Sequence, residues 1–509
     1  MTLGQLKAAL DAQPTAHIPD TTRDAVAHSL AYLASSEASA SLKTDCYWPK
    51  WDSPWWHMLT LYEMGMAREI PESALQAMID ALERVPVHDF PIPRPGAPVS
   101  QAVLMDALCH CAVGSIYSVL SAAGVPVDRE LPWLRPWFLR YQMEDGGLTC
   151  DYEAYPVEDE CPSSMVGTIA AFEAVLHHVP NPSGKELEFL DRAAEFLIGR
   201  ELRWGSPTRH NAEEVEAAQR WPLPCFPRLY FYDTLRGLHA LLSWSEKRRK
   251  RLPSTAIVRV VQDLLAAFPD GQVAPQRHGY EGVGSRTKGP DGRWNRVPLA
   301  STFPLLQEVS ALQRPSPFLT RRWNECKEMM QRVLFEPVQL VPHDPGWEGE
   351  ARLEGERFGA LLGDNLIAVH HIGSTSIPGI EAKPVLDLAP EVKDVSQLDA
   401  LQSELEAHGY EYWGEYGLPG RRFCPLHRDG VRIANIHCYG TGTPELKRHL
   451  AFRDYLRAHP EVAREYEAVK QRARDLHPLD VFAYNDEKNP WIRRVELQAI
   501  AWAKSRSQS

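Results

Sequence analysis

The spacing of apolar residues divides the chain into two parts with different periodicity. In the first two thirds, apolar positions recur every three or four residues, as at Val26, Leu30 and Leu33, which predicts amphipathic helices. Residues 100–123 are apolar on every side, and this predicts a helix buried in the inner layer of a helical barrel. The first part of the chain is therefore expected to be all-α, with aromatic and proline-bearing loops between its helices.

The helical pattern stops at Glu336-Pro337, where the extended apolar run Val338 to Val341 begins. We place a domain boundary there, with a helical domain at 1–336 and a second domain at 337–509. In the second domain, helical runs alternate with strand-like runs at residues 366–370, 385–388 and 431–439. This alternation predicts a small mixed sheet with helices on one side, which is an α+β fold.

A loose repeat of helix, loop and helix runs through the first domain. Two stretches, Gln142 to Tyr152 and Phe226 to Leu238, resemble the repeat of the terpenoid cyclases and protein prenyltransferases. The resemblance implies an α/α toroid with an inner hollow. The aromatic residues that either line this hollow or pack between helices are Trp48, Trp51, Trp55, Trp56, Tyr152, Tyr155, Trp221 and Tyr232. Both interpretations remain open at this point.

The acidic motifs of the cyclases, DxDD and DDxxD, do not occur in this sequence, so a terpenoid or prenyl-type enzyme is the weakest hypothesis. Cys150, Asp151 and His239 resemble the zinc ligands of the prenyltransferases, but a buried cysteine beside a capping aspartate is the simpler interpretation. Cys109-His110-Cys111 falls inside a predicted helix, where neighbouring residues point to different faces. We therefore expect these three residues not to share a metal.

The stretch that carries chemistry runs from His370 to Leu388. It reads as a buried strand, a glycine–serine turn and a returning strand that contains Asp387. Backbone N–H groups and hydroxyls in such a turn can face phosphate oxygens, and the acid can bind a divalent cation. The alternative is an ordinary βαβ turn with a surface aspartate.

Several motifs in the last third of the chain resemble the GrpB family of the nucleotidyltransferase superfamily. They are Val338 to Trp347, Gly373 to Asp387, Gly420 to Phe423, Asn435 to His437 and Arg448 to Leu456. The resemblance covers roughly residues 337–505 and implies a nucleotidyltransferase-like domain. Nucleotidyltransferases have two acids one residue apart, whereas this chain has Asp387 followed by Ala389.

The resemblance assigns roles to nine residues. The catalytic candidates are Asp387, His437 and Lys383, of which Asp387 and His437 are also the metal candidates. The nucleotide-binding candidates are Gly373, Ser374, Thr375, Ser376, Arg421 and Arg422. The expected cofactors are a divalent cation, with Mg²⁺ favoured, and a nucleoside triphosphate.

Composition narrows the class of partner. The net charge of −12 argues against bulk binding of nucleic acid. Nine cysteines without a CxxC pair indicate reduced thiols and a cytoplasmic location. We find no cationic start followed by an apolar run, and no apolar run long enough to span a membrane.

We therefore expect a nucleotidyltransferase or a nucleotide-dependent ligase, in which the toroid binds a small-molecule or peptide acceptor, or a partner. The alternative is a non-catalytic module that binds a nucleotide or coenzyme. Two observations support this second hypothesis. Ala389 stands where nucleotidyltransferases have a second acid, and GrpB domains also occur fused to a dephospho-coenzyme-A kinase.

Overall fold

The computed structural model describes residues 2–84, 108–280, 284–289, 291–335, 337–428 and 431–506. The chain forms two compact units, Met1–Leu334 and Phe335–Ser509. The sequence-derived boundary at 336/337 lies two residues from this division.

The N-terminal unit is built from helices and one short hairpin. Its helices are α1 (Leu3–Ala12), α2 (Arg23–Leu33), α3 (Ser36–Thr44), α4 (Pro54–Glu63), α5 (Glu72–Glu83), α6 (His110–Ala123), α7 (Val127–Glu130), α8 (Leu134–Arg140), α9 (Met165–His178), α10 (Gly184–Gly199), α11 (Glu213–Ala218), α12 (Thr234–Arg248), α13 (Ser254–Ala267), α14 (Pro304–Val309) and α15 (Pro317–Val333). Strands β1 (Ser285–Lys288) and β2 (Trp294–Val297) pair in antiparallel fashion. The hairpin falls within a Gly- and Arg-rich stretch that shows no strand pattern in the sequence.

Helix α6 is buried over most of its length, as its all-round apolar pattern predicts. Every residue from His110 to Leu120 is buried, and the helix packs along α9, which is buried over most of its own length. The proposed earlier part of this helix, residues 100–107, lies outside the described residues.

Five of the eight candidate aromatic residues are buried in the unit. Trp51, Trp55, Trp56 and Tyr232 are almost completely buried, and the rings of Trp51 and Trp56 meet edge to face at 4.5 Å. One cavity of this unit, of about 140 Å³, has a charged lining. Its charged residues are Glu63, Glu173, Arg228, Arg236 and Arg322. None of the eight candidate aromatic residues lines this cavity.

The C-terminal unit combines helices with a four-stranded sheet. The strands are β3 (Leu366–Ile372), β4 (Leu386–Val392), β5 (Arg421–Arg428) and β6 (Val431–Gly440). The helices are α16 (Gly346–Leu362), α17 (Gln397–Ala400), α18 (Gln402–Ala407), α19 (Pro444–Ala458), α20 (Pro460–Leu476) and α21 (Val481–Arg506). The break between α19 and α20 falls at His459-Pro460, as the proline there predicts.

The sheet is mixed, with strand order β3-β4-β6-β5. Strand β4 runs antiparallel to β3 and parallel to β6, and β6 runs antiparallel to β5. One face is apolar, with Leu388, Ile436 and Cys438 packed under α16, α17 and α18. We call the opposite face, which carries Asp387, the acid face of the sheet.

Helices also cover part of the acid face, which corrects the expectation of helices on one side only. Leu446 of α19 packs there against Ile372, Ala389 and Tyr439. Strand β5 is a second difference, because the strand-like runs of the sequence at 366–370, 385–388 and 431–439 do not include residues 421–428. Amphipathic periodicity does not say which face of a sheet a helix covers, and this choice depends on chain topology.

Among the described residues, no helix is both long and apolar enough to cross a membrane.

Candidate functional site

The register of the two central strands brings three polar residues together on the acid face. Asp387 of β4 is the direct partner of Asn435 on the parallel strand β6. His437 lies two residues beyond Asn435 and therefore projects from the same face. The Nδ2 atom of Asn435 donates a hydrogen bond to Oδ1 of Asp387 at 2.9 Å, and Nε2 of His437 lies 3.7 Å from the same oxygen.

The glycine–serine turn lies directly against this carboxylate. Ile372, the last residue of β3, pairs with Asp387, so the next residue, Gly373, begins the turn beside the acid. Gly373 has φ of +70°, and a Cβ atom there would lie 2.2 Å from Oδ2 of Asp387. Only glycine leaves room for the acid at this position, and the turn backbone and the carboxylate thus share one location.

The three hydroxyls of the turn have different surroundings. Ser374 is half-buried. Thr375 and Ser376 are buried, and each side chain bonds inside the unit, Thr375 to Nε2 of His371 at 2.9 Å and Ser376 to the Gly373 carbonyl at 2.7 Å. Of the three, Ser374 is the hydroxyl best placed to meet a ligand, and the other two hold the turn in shape.

Two arginines of α19 fix the turn from outside. Arg453 donates to the carbonyl of His371 at 3.1 Å, and Arg457 donates to the carbonyl of Ser376 at 2.8 Å. Burial lowers the pKa of His371 to about 4, so its imidazole is neutral near pH 7. The turn is therefore held by contacts on both of its sides before any ligand binds.

Asp387 is ionised at neutral pH. Burial by itself would raise the pKa of its carboxyl, but hydrogen bonds from His437 and Asn435, together with the charges of His437 and Lys488, lower it below the ordinary value. A permanently charged carboxylate in a half-buried site is suited to binding a cation.

The hydrogen bonds of His437 favour one tautomer. The guanidinium of Arg421 can only donate, and its Nη1 atom lies 3.3 Å from Nδ1 of His437. Nδ1 is therefore the acceptor, and in the neutral ring the proton lies on Nε2, which faces Asp387. This arrangement favours His437 as a donor to Asp387 or to a ligand, and it disfavours Nε2 as a metal ligand.

Two lysines contribute positive charge near the acid. Burial lowers the pKa of Lys488 on α21 to about 8, while Asp387 favours and Lys383 opposes the charged form of Lys488. The Nζ atom of Lys488 also lies 4.3 Å from the centre of the Tyr484 ring, one helical turn earlier. Lys383, which the sequence nominates, and Lys488 thus act on the same part of the unit.

The neighbouring arginines Arg421 and Arg422 lie on opposite faces of the sheet. Arg421 pairs in register with Tyr439 on the acid face, is buried, and donates to the carbonyls of Glu415 and Tyr416. Arg422 pairs in register with Cys438 on the apolar face. Its guanidinium makes two bonds to Asp399, of 2.5 and 2.8 Å. The structure therefore brings Arg421 to the site and leaves Arg422 away from it.

The donor set fits a divalent cation that a ligand helps to hold. The Asp387 carboxylate is one oxygen donor, and the buried Oδ1 atom of Asn435, which accepts no hydrogen bond, is a second. Among the described residues, the acid face offers no group of three His, Cys, Asp or Glu ligands. Mg²⁺ is usually bound by one or two carboxylates together with substrate phosphates, which agrees with this sparse set.

Sequence reasoning missed Asn435 and Lys488 as site residues. Asn435 could have been found, because it precedes His437 by two residues and β-strand alternation puts both side chains on one face. Lys488 is far away in sequence, and only the packing of α21 brings it near Asp387.

Comparison with known proteins gives a consistent result for the C-terminal unit. A family model described as "GrpB protein" matches residues 337–498. A UPF0157 protein of Bacillus subtilis is 38% identical over 173 residues, which are 34% of this chain and 50% of that protein. A UPF0157 protein of Streptomyces coelicolor is 32% identical over 164 residues, which are 32% of this chain and 85% of that protein.

A third relative has a functional name. The dephospho-CoA kinase of Mycolicibacterium paratuberculosis is 32% identical over 199 residues, covering 34% of this chain and 49% of that protein. The chain therefore spans about half the length of this relative and of the Bacillus protein.

Two solved structures resemble the chain. The conserved protein GrpB from Enterococcus faecalis has 36% identity and a TM-score of 0.31, covering 32% of this chain and 99% of that one. A type II terpene cyclase from Scytonema has 12% identity and a TM-score of 0.20, covering 65% of this chain and 100% of that one.

Proposed function

We propose that this chain, which belongs to the GrpB family through residues 337–498, binds a nucleoside triphosphate with a divalent cation in its C-terminal unit. The observation that carries the proposal is the contact between the Gly373 turn and the Asp387 carboxylate. A turn that presents amides and a hydroxyl to an anion, beside an acid that anchors its counter-cation, is an arrangement suited to a metal-bound phosphate.

Each site residue has a distinct task in this proposal. Ser374 and the turn amides bind phosphate oxygens, and Asp387 with Oδ1 of Asn435 binds the cation. Lys383 and Lys488 neutralise phosphate charge, and His437 donates a hydrogen bond from Nε2. The cation, when bound, supplies charge neutralisation at the phosphates. The Arg421 guanidinium holds the His437 ring in its tautomer, and Arg422 has no direct part.

The reaction we favour is transfer of a nucleotidyl group or activation of a carboxylate. An acceptor oxygen forms a bond to the α-phosphorus, and the bond between that phosphorus and the bridging oxygen breaks, so that pyrophosphate leaves. The proton of a hydroxyl acceptor passes to solvent or to a base, whereas a carboxylate acceptor carries none. The N-terminal cavity, which three guanidinium groups and two carboxylates line, is where we place the acceptor or partner.

Arg228 gives this cavity a specific feature. It is buried and bonds to Asp233 at 3.0 Å, yet its Nη2 atom has no hydrogen-bond partner. A buried donor without a partner costs about 1–3 kcal/mol, which a bound carboxylate or phosphate would recover. The N-terminal unit is therefore our candidate for holding an acidic acceptor.

A non-catalytic module that binds a nucleotide or coenzyme is the second candidate, and Ala389 favours it. Nucleotidyltransferases have a second acid at this position, but here the Ala389 methyl group is fully buried against Ile372, Tyr439 and Leu446. Two metal ions between two acids are therefore not part of either proposal.

Calorimetric titration of the full chain with ATP, GTP and coenzyme A, with and without Mg²⁺, tests the proposal. We expect one of these ligands to bind, to bind more tightly with Mg²⁺, and to lose roughly tenfold or more in affinity in Asp387→Asn. Release of pyrophosphate in the presence of candidate acceptors then separates the enzyme from the binding module.

Asp399→Asn is the matched control, because Asp399 is also a hydrogen-bonded acid of the same unit but lies on α17, the helix that packs over the apolar face. We expect this variant to keep the affinity of the unmodified chain. Absence of binding for every nucleotide tested, or equal losses in the two variants, contradicts the proposal.

A further inference from the structure

Three cysteine thiols converge in the N-terminal unit, far in sequence from the residues considered above. The Sγ atoms of Cys109, Cys111 and Cys150 all lie within 4.8 Å of one another. Those of Cys109 and Cys111 are 3.1 Å apart, and none of the nine cysteines forms a disulfide. Three reduced sulfurs at one point form a constellation of soft ligands.

The expectation that Cys109, His110 and Cys111 do not share a metal rested on the premise that all three lie inside one helix. The convergence of two of their thiols shows that this premise is wrong. Helix α6 instead begins at His110, and Cys109 is its N-cap, with an extended backbone at φ −114° and ψ 169°. Because Cys109 does not follow the helical rotation, its side chain can turn toward that of Cys111.

The loop that carries Cys150 is tied to the neighbouring helix. Leu148 forms an isolated antiparallel bridge with Ser164, and its backbone N–H donates to the Thr168 hydroxyl of α9 at 2.8 Å. Cys150 follows two residues later. Since α9 packs along α6, these bonds fix the third thiol against the start of α6.

His110 is excluded as a fourth ligand by its own hydrogen bonds. The indole of Trp137 donates to Nδ1 at 2.6 Å, so the proton lies on Nε2, which bonds to the Tyr155 hydroxyl at 2.7 Å. Both ring nitrogens are therefore occupied. The zinc set suggested by the prenyltransferase resemblance is also not assembled, because Asp151 bonds to His210 and His239 bonds to Arg322.

The surroundings suit an anionic metal–thiolate group. Cys111 is buried, while Cys109 and Cys150 are half-buried, which leaves a route for an ion. Burial lowers the pKa of Lys50, but the thiols of Cys111 and Cys109 favour its charged form, so its ammonium group can balance negative sulfur.

We propose that Cys109, Cys111 and Cys150 bind one thiophilic metal ion, Zn²⁺ or Cu⁺. Thiolate is the ligand that both ions prefer. A Zn–S bond of about 2.3 Å in a tetrahedron separates its sulfurs by roughly 3.8 Å, so small side-chain movements of the three thiols suffice. Binding replaces the remaining thiol protons, which pass to solvent, and no electron is transferred.

Three thiolates leave one tetrahedral position of Zn²⁺ for water or a ligand, whereas Cu⁺ is satisfied by three sulfurs. The ion would join the start of α6 to the loop at Cys150 and so stabilise the N-terminal unit. The proposed metal site includes neither Asp387 nor a nucleotide. The test of this inference and the test of the function proposed above therefore give independent results.

Metal content of the purified full chain tests the inference. The chain is purified with a reductant and without chelator, and its Zn and Cu are measured by mass spectrometry; we expect about one equivalent in total, and the element found decides between the two ions. After removal of the metal, titration with Co²⁺ is expected to produce thiolate-to-cobalt charge-transfer absorption at one equivalent.

Cys109→Ser, Cys111→Ser and Cys150→Ser are each expected to weaken metal binding by roughly tenfold or more, since even outer-shell changes cost that much. Cys161→Ser is the matched control, because Cys161 is also a half-buried thiol of this unit but lies outside the cluster. Asp387→Asn should keep the metal. If a serine variant fails to fold, the Co²⁺ titration of the unmodified chain still decides the matter.

Three results would overturn the inference. The first is a metal content below about one tenth of an equivalent together with no cobalt–thiolate band. The second is a loss of metal in Cys161→Ser equal to the loss in the three cluster variants. The third is a Cys109–Cys111 disulfide in the unmodified chain that reduction does not convert into a metal-binding form.

Discussion

The two faces of the C-terminal sheet are made from the same strands yet differ in every property that matters for binding. On the apolar face, Leu388, Ile436 and Cys438 pack under helices. On the acid face, Asp387 and Asn435 hydrogen-bond to each other beside a glycine turn. Alternate residues of one strand thus serve as core and as site.

The two faces show which of the family's motif residues lie at the candidate site and which lie away from it. Arg421 and Arg422 are neighbours in sequence, but one supports His437 while the other binds Asp399. Membership in a motif therefore does not imply membership in the site. Successive side chains of a strand point to opposite faces of the sheet, and the face on which a side chain lies is the stronger indicator that a residue belongs to the site.

The variant with the largest expected effect tests how tightly side chains pack on the acid face beyond Asp387. Ala389→Asp would put a second carboxylate where nucleotidyltransferases have one, but into a fully buried apolar cluster. We expect a loss of about 3 kcal/mol or more in the free energy of unfolding, measured with urea, because a carboxylate would be transferred from water into an apolar cluster. Ala389→Asn is the control for size, and equal stability of Asp and Asn variants at pH 7 would contradict the account.

The next effect separates backbone strain from the contact with the acid. Gly373→Ala and Gly379→Ala both put a Cβ atom at positive φ, +70° and +76°, but of the two only Gly373 has a neighbour within 4 Å, the Asp387 side chain. We expect about 1 kcal/mol for Gly379→Ala and roughly 2–3 kcal/mol for Gly373→Ala, together with loss of nucleotide binding in the latter only. Equal behaviour of the two variants would show that the contact is unimportant.

The paired arginines should differ in stability. Arg421→Gln removes donors to two loop carbonyls and to His437, and we expect a cost of about 1–3 kcal/mol in thermal or urea unfolding. Arg422→Gln breaks a pair whose acid is half-exposed, and we expect at most about 1 kcal/mol. A larger effect for Arg422 would reverse our assignment of the two faces.

The smallest effect concerns pH. The pKa of Lys488 is lowered to about 8. Its side chain is therefore a charged ammonium below that pH and loses this charge as the pH rises through about 8. Nucleotide affinity should be flat from pH 6.5 to 7.5 and fall by roughly threefold to tenfold by about pH 9. The pH dependence of stability has the opposite sign. Between about pH 8 and 10.5 the lysine is protonated in the unfolded chain but not in the folded chain, so the free energy of unfolding rises with pH in this range.

Lys488→Arg should flatten the affinity profile, since a guanidinium remains charged throughout this range. A profile that keeps its slope in Lys488→Arg would assign the titration to another group.

Much of the C-terminal unit could be predicted from sequence. The strands at 366–372 and 431–440 and the helix break at His459-Pro460 follow from local apolar runs and from proline. The turn at Gly373 and its acid Asp387 also follow from local pattern. Strand β5 was missed because its start, with Arg421 and Arg422, reads as a charged surface and not as a strand.

The sequence by itself determined the two-part division of the chain, the helical character of the first part and, in the second, the glycine–serine turn that precedes the strand with Asp387. Only the tertiary structure decided which motif residues meet: Asn435 and Lys488 beside Asp387, Arg422 away from it, and the thiols of Cys109, Cys111 and Cys150 together. The physical reason is that periodicity and turn chemistry act over a few residues, whereas strand register, helix starts and helix docking bring together residues that are distant along the chain.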